Sequence, residues 1–161
     1  MIIQKKYNEL NVQQQREGHN VLVSANKDIF LKNYFDLSQF ENYKNDLIFI
    51  INKDEKEKSN SKKYLVIVGL YKPRLISDGK YKGYYRSGPI YILPSFRKHG
   101  YAKEALEKYF DGKKAMCWIS DRNIASQKLY ESLGFIKSKS KLKDPEDNEM
   151  GTFWFKEVKE K

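Results

Sequence analysis

The chain is short of the residues that build disulfide and metal scaffolds. Its single cysteine, Cys117, cannot form an internal disulfide, and the two histidines, His19 and His99, stand isolated. No Cys-x-x-Cys or His-x-x-x-His spacing accompanies them, so no metal site is expected. No apolar run approaches the roughly 18 residues needed to span a bilayer. The start, Met1-Ile2-Ile3 followed at once by Gln4-Lys5-Lys6, lacks the form of a secretory signal. The expectation is a soluble, cytoplasmic protein. Internal repeats and a nucleophile elbow are missing as well. Cys117 lies in an apolar run beside Trp118, with no activating His or Asp placed by the sequence, and reads as a buried structural thiol.

With 161 residues and 40% hydrophobic content, the chain suffices for one domain with a sizeable core, spanning 1–161. The formal charge is +10. The lysines gather in Lys53 to Lys63, in Lys137 to Lys143 and at the C-terminus, with acidic residues interleaved, rather than in one basic stripe. A solvated surface, a polyanionic ligand, an acidic acceptor or a nucleic acid all accord with this distribution.

Asn20 to Ala25 reads as a first strand, and Lys27 to Tyr43 as one or two short helices. Leu47 to Asn52 and Tyr64 to Tyr71 are apolar, β-branched runs that predict an antiparallel hairpin, joined by the charged tip Lys53 to Lys63. Pro73 to Gly88 is a longer connection carrying Tyr81, Tyr84, Tyr85 and Arg86, read as an extra hairpin or a border of an acceptor site. Ile136 to Leu142 and Thr152 to Val158 predict two final strands. Met1 to His19 is the least readable part.

The informative stretch is Ile90 to Phe135. In Ile92-Leu93-Pro94-Ser95-Phe96-Arg97-Lys98-His99-Gly100-Tyr101-Ala102, a short apolar run passes through a proline and a basic turn into an amphipathic helix. A helix start leaves up to four backbone N–H groups without intrahelical partners and carries the positive end of the dipole, so it accepts anions. Gly100 lets a phosphate approach the backbone, Ala102 keeps the first turn thin, and Arg97, Lys98 and His99 add charge. After the buried-looking strand Ala115 to Ile119, Asn123 is an N-cap, Ala125, Leu129 and Leu133 form an apolar line, and Gly134 closes a helix before Phe135. Ser126 and Tyr130 share a face of that helix. Tyr130 is either a core aromatic or a phenol aimed at chemistry.

With these two segments the chain resembles the GNAT superfamily of N-acetyltransferases. The acyl-CoA motif Arg/Gln-x-x-Gly-x-Gly/Ala is matched by Arg97-Lys98-His99-Gly100-Tyr101-Ala102, and the later asparagine, tyrosine, glycine and phenylalanine pattern by Asn123, Tyr130, Gly134 and Phe135. The resemblance implies a mixed α/β fold with a mostly antiparallel central sheet, flanked by helices and splayed at its central strands to form an acyl-CoA cleft. It implies that backbone amides from Arg97 through Ala102 bind the pyrophosphate of acetyl-CoA, and that the backbone edge at Ile92 and Leu93 pairs with the pantetheine arm. Asn123 would contact that arm or hold the strand–helix junction. Tyr130 would give a proton to the departing thiolate.

The chain departs from the family in lacking an apparent first strand close to its N-terminus. No carboxylate lies in Ile90 to Leu93, so the candidates for a base, by sequence proximity alone, are Asp121, Asp78 and Glu104. Asp121 reads rather as support for Asn123 or for its turn, Ser120 is ambiguous in the same way, and a water or no base at all remains open. The implied activity is direct transfer of an acetyl group to a primary amine of a protein, peptide or small molecule, without metal. A nucleic-acid acceptor, or a binding module that kept the cofactor loop and lost catalysis, are the alternatives.

Overall fold

The computed structural model describes residues 2–31, 34–53, 66–145 and 148–158. In chain order its strands are β1 (Ile2–Lys6), β2 (Ile48–Asn52), β3 (Val66–Tyr71), β4 (Arg74–Leu75), β5 (Tyr85–Arg86), β6 (Ile90–Ile92), β7 (Ala115–Ser120), β8 (Ile136–Lys143) and β9 (Met150–Lys156). The α-helices are α1 (Val12–Ala25), α2 (Phe40–Tyr43), α3 (Tyr101–Phe110) and α4 (Ile124–Ser132). Two sheets result, ordered β1-β2-β3-β6 and β4-β5-β7-β9-β8. The only parallel pairing among the described strands is β5 with β7. The architecture is mixed α/β and mostly antiparallel, as expected.

The chain forms two compact units, Met1–Lys72 with Pro89–Ala105, and Pro73–Gly88 with Leu106–Lys161. In the first unit, α1 starts at a reciprocal cap: Gln14 N–H donates to the Asn11 side chain (2.8 Å) and Asn11 N–H to the Gln14 side chain (3.1 Å). Gly18, Val21, Leu22 and Ala25 then recur at helical spacing and are buried. Val21, Leu22 and Ala25 join Phe35, Leu47, Phe49, Ile51, Ile67, Leu70 and Tyr91 in one core. Each such fully buried large side chain contributes about 1.5–3 kcal/mol before entropy is counted. β2 and β3 pair antiparallel with a bulge between Ile50 and Ile51. β1 is tied to the start of α3, since Ile2 N–H donates to Glu104 Oε1 (3.2 Å).

In the second unit the mixed sheet turns Ala115, Cys117, Ile119, Thr152 and Trp154 toward one face, by strand alternation and the β7–β9 register. Phe110 and Phe135 pack ring edge to face at 6.4 Å, and Phe135 packs on Tyr130 at 5.0 Å. Lys156 Nζ donates to the carbonyls of Phe110 (3.0 Å) and Lys113 (3.1 Å), which closes the C-terminal end of α3. The run 85–92 changes partner part-way. Tyr85 and Arg86 pair with Ala115 and Met116 of β7, whereas Ile90 to Ile92 pair with β3.

Two expectations are corrected and one is narrowed. Asn20 to Ala25 is the end of a helix rather than a strand, because the cap at Asn11 sets the helical register and its buried positions follow a period near 3.6. Within Lys27 to Tyr43 the described residues form turns, a 3-10 turn at Leu37–Gln39 and only the single helical turn α2. The N-terminus holds a strand at Ile2–Lys6, antiparallel to β2, so the apparent departure from the family disappears. The expected hairpin tip falls on 54–65, outside the described residues. Among the described residues no helix is long and apolar enough to cross a membrane.

Candidate active site

The basic loop belongs to the first unit. Leu93 N–H donates to Val68 O (2.8 Å), and Lys72 N–H to Pro89 O (3.1 Å). In antiparallel pairing these rungs alternate, so Ile90 and Ile92 direct their N–H and C=O groups away from β3. That outer edge has the spacing an amide-bearing chain needs to add as a further strand. Leu93, by contrast, spends its N–H on Val68 and its C=O on Phe96 N–H (2.9 Å), so the available edge shifts from Leu93 to Ile90 with Ile92.

Beyond Pro94 the backbone turns through two left-handed residues, Lys98 (φ 66°) and Gly100 (φ 80°). Gly100 C=O accepts the first helical bond, from Glu104 N–H (3.0 Å). The N–H groups of Tyr101, Ala102 and Lys103 therefore precede the first intrahelical bond of α3, where the dipole is positive. Arg97, Lys98, His99 and Gly100 are exposed and Ala102 half-buried. The Arg97 side chain folds back on the strand: its Nε donates to Ile92 O (2.9 Å) and its guanidinium lies 5.5 Å from the Tyr91 ring centre and 3.8 Å from Asp28. Tyr101 receives a hydrogen bond from buried Asn52 (2.9 Å) and stacks on His99 at 5.7 Å. Asn52 is a support that the sequence did not point to.

The tyrosine belongs to the second unit. Asn123 caps α4, accepting from Ser126 N–H (3.2 Å). At the other end Phe135 N–H donates to Tyr130 O (3.0 Å) and Gly134 N–H to Glu131 O (3.0 Å), with Gly134 at φ 87°. This is a Schellman cap, and the Tyr130–Phe135 ring contact is the apolar pair that accompanies it. The tyrosine, glycine and phenylalanine of the motif thus form one local device that fixes Tyr130. Ala125, expected on the packing line of α4, is exposed; Tyr130 is the residue the helix buries.

Tyr130 is 3% exposed, and its phenol oxygen accepts from Ser87 Oγ at 2.8 Å. Burial, with Cys117 nearby adding to it, holds the phenol far above its ordinary pKa of 10.0, against a smaller opposing effect of Ser87. It is protonated at every physiological pH. Burial likewise pushes the Cys117 thiol far up, Arg86 opposing, which makes it an inert core thiol.

The three carboxylates are poorly suited as bases. Asp121 receives hydrogen bonds from Lys141 Nζ (2.8 Å) and Thr152 Oγ1 (2.8 Å), and these hold its carboxyl below the ordinary value of 3.8. Glu104 accepts from β1, and Asp78 sits in an exposed turn. Ser120 and Arg122 both donate to Glu149 (each 3.1 Å), a second brace at the end of β7. Among the described residues no cluster of His, Cys, Asp and Glu could hold a metal.

The family model described as Acetyltransferase (GNAT) family matches residues 19–135, well over half of the chain. The chain belongs to the GNAT acetyltransferase family. No curated protein matches this GNAT chain in sequence. Solved structures match its fold. NAA60 of Arabidopsis thaliana in complex with acetyl-CoA aligns with TM-score 0.69 at 14% identity, over 98% of this chain and 100% of that one. The ribosomal-protein-S18-alanine N-acetyltransferase of Escherichia coli gives 0.63 at 12%, over 96% and 92%. A variant of the spermidine N-acetyltransferase SpeG of Vibrio cholerae gives 0.59 at 15%, over 96% and 93%. The matched segment of this GNAT chain contains both sequence motifs, from Arg97 to Ala102 and from Asn123 to Phe135.

Proposed function

We propose that this GNAT chain transfers an acetyl group from acetyl-CoA directly to a primary amine of a protein, peptide or small molecule, its two units acting as one domain over 1–161. The observation that carries the reading is the cationic loop with left-handed Lys98 and Gly100 opening onto the first N–H groups of α3. Together with the outward edge of Ile90 and Ile92 it meets the needs of acetyl-CoA, whose pyrophosphate takes backbone donors and whose pantetheine amides take a strand edge. The structural neighbours named above include a complex with acetyl-CoA and two N-acetyltransferases whose acceptors are an alanine of a ribosomal protein and spermidine.

Acetyl-CoA supplies the acyl group as an activated thioester. Backbone amides from Arg97 through Ala102 bind its pyrophosphate, with Lys98 adding charge and His99 a ring N–H. Arg97 releases the Ile92 carbonyl as the pantetheine arm takes it, and its guanidinium turns to the phosphates. Asn123 holds the junction of β7 and α4. Tyr130 places its phenolic hydrogen on the sulfur as the C–S bond breaks, an interaction that strengthens only as charge develops. A phenol raised by burial gives its proton to a thiolate that the same apolar surroundings leave poorly solvated. Asp121, Glu104 and Asp78 being engaged or exposed, the amine arrives neutral or loses its proton to water. The +10 charge disfavours a polycationic acceptor by long-range repulsion.

The test is thermal unfolding with acetyl-CoA or free CoA, followed by an amine panel with Tyr130→Phe. A ligand at about 100 times its Kd stabilises by roughly 2.7 kcal/mol, a rise of about 5 °C or more. Tyr130→Phe is expected to lose about 100-fold in kcat with acetyl-CoA affinity nearly unchanged. No thermal shift at saturating acetyl-CoA removes the cofactor reading. Binding without transfer to any amine leaves a binding module.

A further inference from the structure

We propose that Ser87 is a positioning residue for the leaving-group step: its hydroxyl gives its hydrogen to the Tyr130 oxygen and leaves the phenolic hydrogen to the departing sulfur. The inference rests on the assignment of Tyr130 as proton donor and adds to it a second residue outside both motifs.

Ser87 lies where the run 85–92 leaves β7. Its N–H makes the last rung, to Met116 O (2.9 Å), one residue after the parallel pair of Arg86 and Met116. Continuing that register sets Ser87 opposite Cys117, on the face that Tyr130 covers. The backbone bond fixes the serine Cα, and α4 with its Schellman cap fixes the tyrosine. The 2.8 Å between Oγ and Oη therefore joins two held groups rather than two mobile side chains.

The hydrogen count gives the bond its direction of use. Ser87 is 0% exposed and Tyr130 3%, so water does not readily serve either hydroxyl. With Ser87 donating, the phenol keeps its own hydrogen and has one lone pair engaged, which restricts where that hydrogen points. In the transfer, the amine nitrogen bonds to the acyl carbon, the C–S bond breaks, and the phenolic proton passes to sulfur. The acylated nitrogen loses its surplus proton at the open end of the site, and the phenolate recovers one in its place only once CoA has left and solvent enters. While it exists, the phenolate needs a donor in a place without water. Cys117, a weak donor, stands beside it; Ser87 is the hydroxyl already bonded there.

The experiment is free of any acceptor. The thiol of CoA bound to the enzyme is titrated by the ultraviolet absorbance of its thiolate, with the desulfo-CoA complex as blank. Wild type, Tyr130→Phe, Ser87→Ala, Ser87→Cys, Ser87→Thr and the double variant Ser87→Ala with Tyr130→Phe are compared. A phenol aimed at sulfur stabilises the thiolate, so Tyr130→Phe raises the bound thiol's pKa. Ser87→Ala and Ser87→Cys are expected to raise it by roughly 0.5–1 unit, Ser87→Thr to restore it, and the double variant to match Tyr130→Phe alone. A merely structural serine would move thermal stability and leave this titration in place. Ser87 variants that titrate as wild type while Tyr130→Phe shifts overturn the inference and leave the Tyr130 reading standing. An unshifted Tyr130→Phe overturns that reading and the inference with it. The isosteric cysteine keeps the test decisive should the alanine variant fold poorly.

Discussion

Arg97 turns its side chain back onto the strand that precedes it. Its Nε holds the Ile92 carbonyl and its guanidinium leans on Tyr91, yet the side chain is 47% exposed, so its ion pair with Asp28 at 3.8 Å adds little to stability. Its value is expected to appear on binding, where a guanidinium forks onto phosphate oxygens. Arg97→Ala should therefore raise the KM for acetyl-CoA about 5- to 10-fold with kcat and Tm nearly unchanged. A fall in kcat equal to the rise in KM would show instead that Arg97 acts on the reacting atoms. Asp121 is the opposite case. Its carboxyl, held low by Lys141 and then Thr152, contributes stability above its unfolded pKa, and the contribution is lost as pH falls through the lower folded value. Asp121→Asn should leave kcat within about 3-fold and cost roughly 0.5 kcal/mol at neutral pH, a deficit that closes in acid below the ordinary carboxylate value of 3.8. An enzyme that loses its basic-side activity with this substitution would restore Asp121 as the base.

At the scale of the element, α4 is expected to couple stability to chemistry through its C-terminus. Gly134 has open space where a Cβ would stand, so the obstacle to a side chain is its φ of 87° alone. Gly134→Ala should cost about 1 kcal/mol, a Tm loss of roughly 2–4 °C, and Gly134→Asn less. Because the cap bonds to the Tyr130 carbonyl, the alanine variant should also lower kcat while leaving acetyl-CoA affinity alone. Equal kcat in a visibly destabilised variant would separate the cap from the phenol. This device was legible in the sequence because its parts, Tyr130, Gly134 and Phe135, lie within one helical turn and its exit. The basic loop was legible for the same reason. α1 was not: Val21, Leu22 and Val23 look like a strand locally, while the cap at Asn11 that commits them to a helix lies ten residues earlier and their burial depends on tertiary partners. The Ser87–Tyr130 bond, 43 residues apart, and the support of Tyr101 by Asn52, 49 apart, leave no local pattern to read. Strand alternation also could not tell which of Ile90, Ile92 and Leu93 faces the open edge, since that depends on the rung at Val68.

At the scale of the whole molecule, the +10 charge raises the question of how much the proposed anion site owes to its own loop and how much to the sum of the lysines outside it. Screening separates the two. At about 0.15 M salt the field of an exposed charge decays over roughly 8 Å, so lysines that do not touch the ligand act mainly at low salt while groups touching the phosphates persist. The β8 strand offers a control, because Lys139 and Lys143 are exposed on a terminal strand of its sheet and belong to neither motif. Raising salt from about 0.05 to 0.5 M should weaken acetyl-CoA binding several-fold in the wild type. Lys139→Glu with Lys143→Glu should reduce affinity at the low end and approach wild type near 0.15 M. Lys98→Ala should lose about 3- to 5-fold at both. Should the β8 variant and Lys98→Ala fall together at every salt concentration, the loop would lose its standing as the local anion site. The lysines would then act as one diffuse field, and the edge strand would be the place to look for the phosphates.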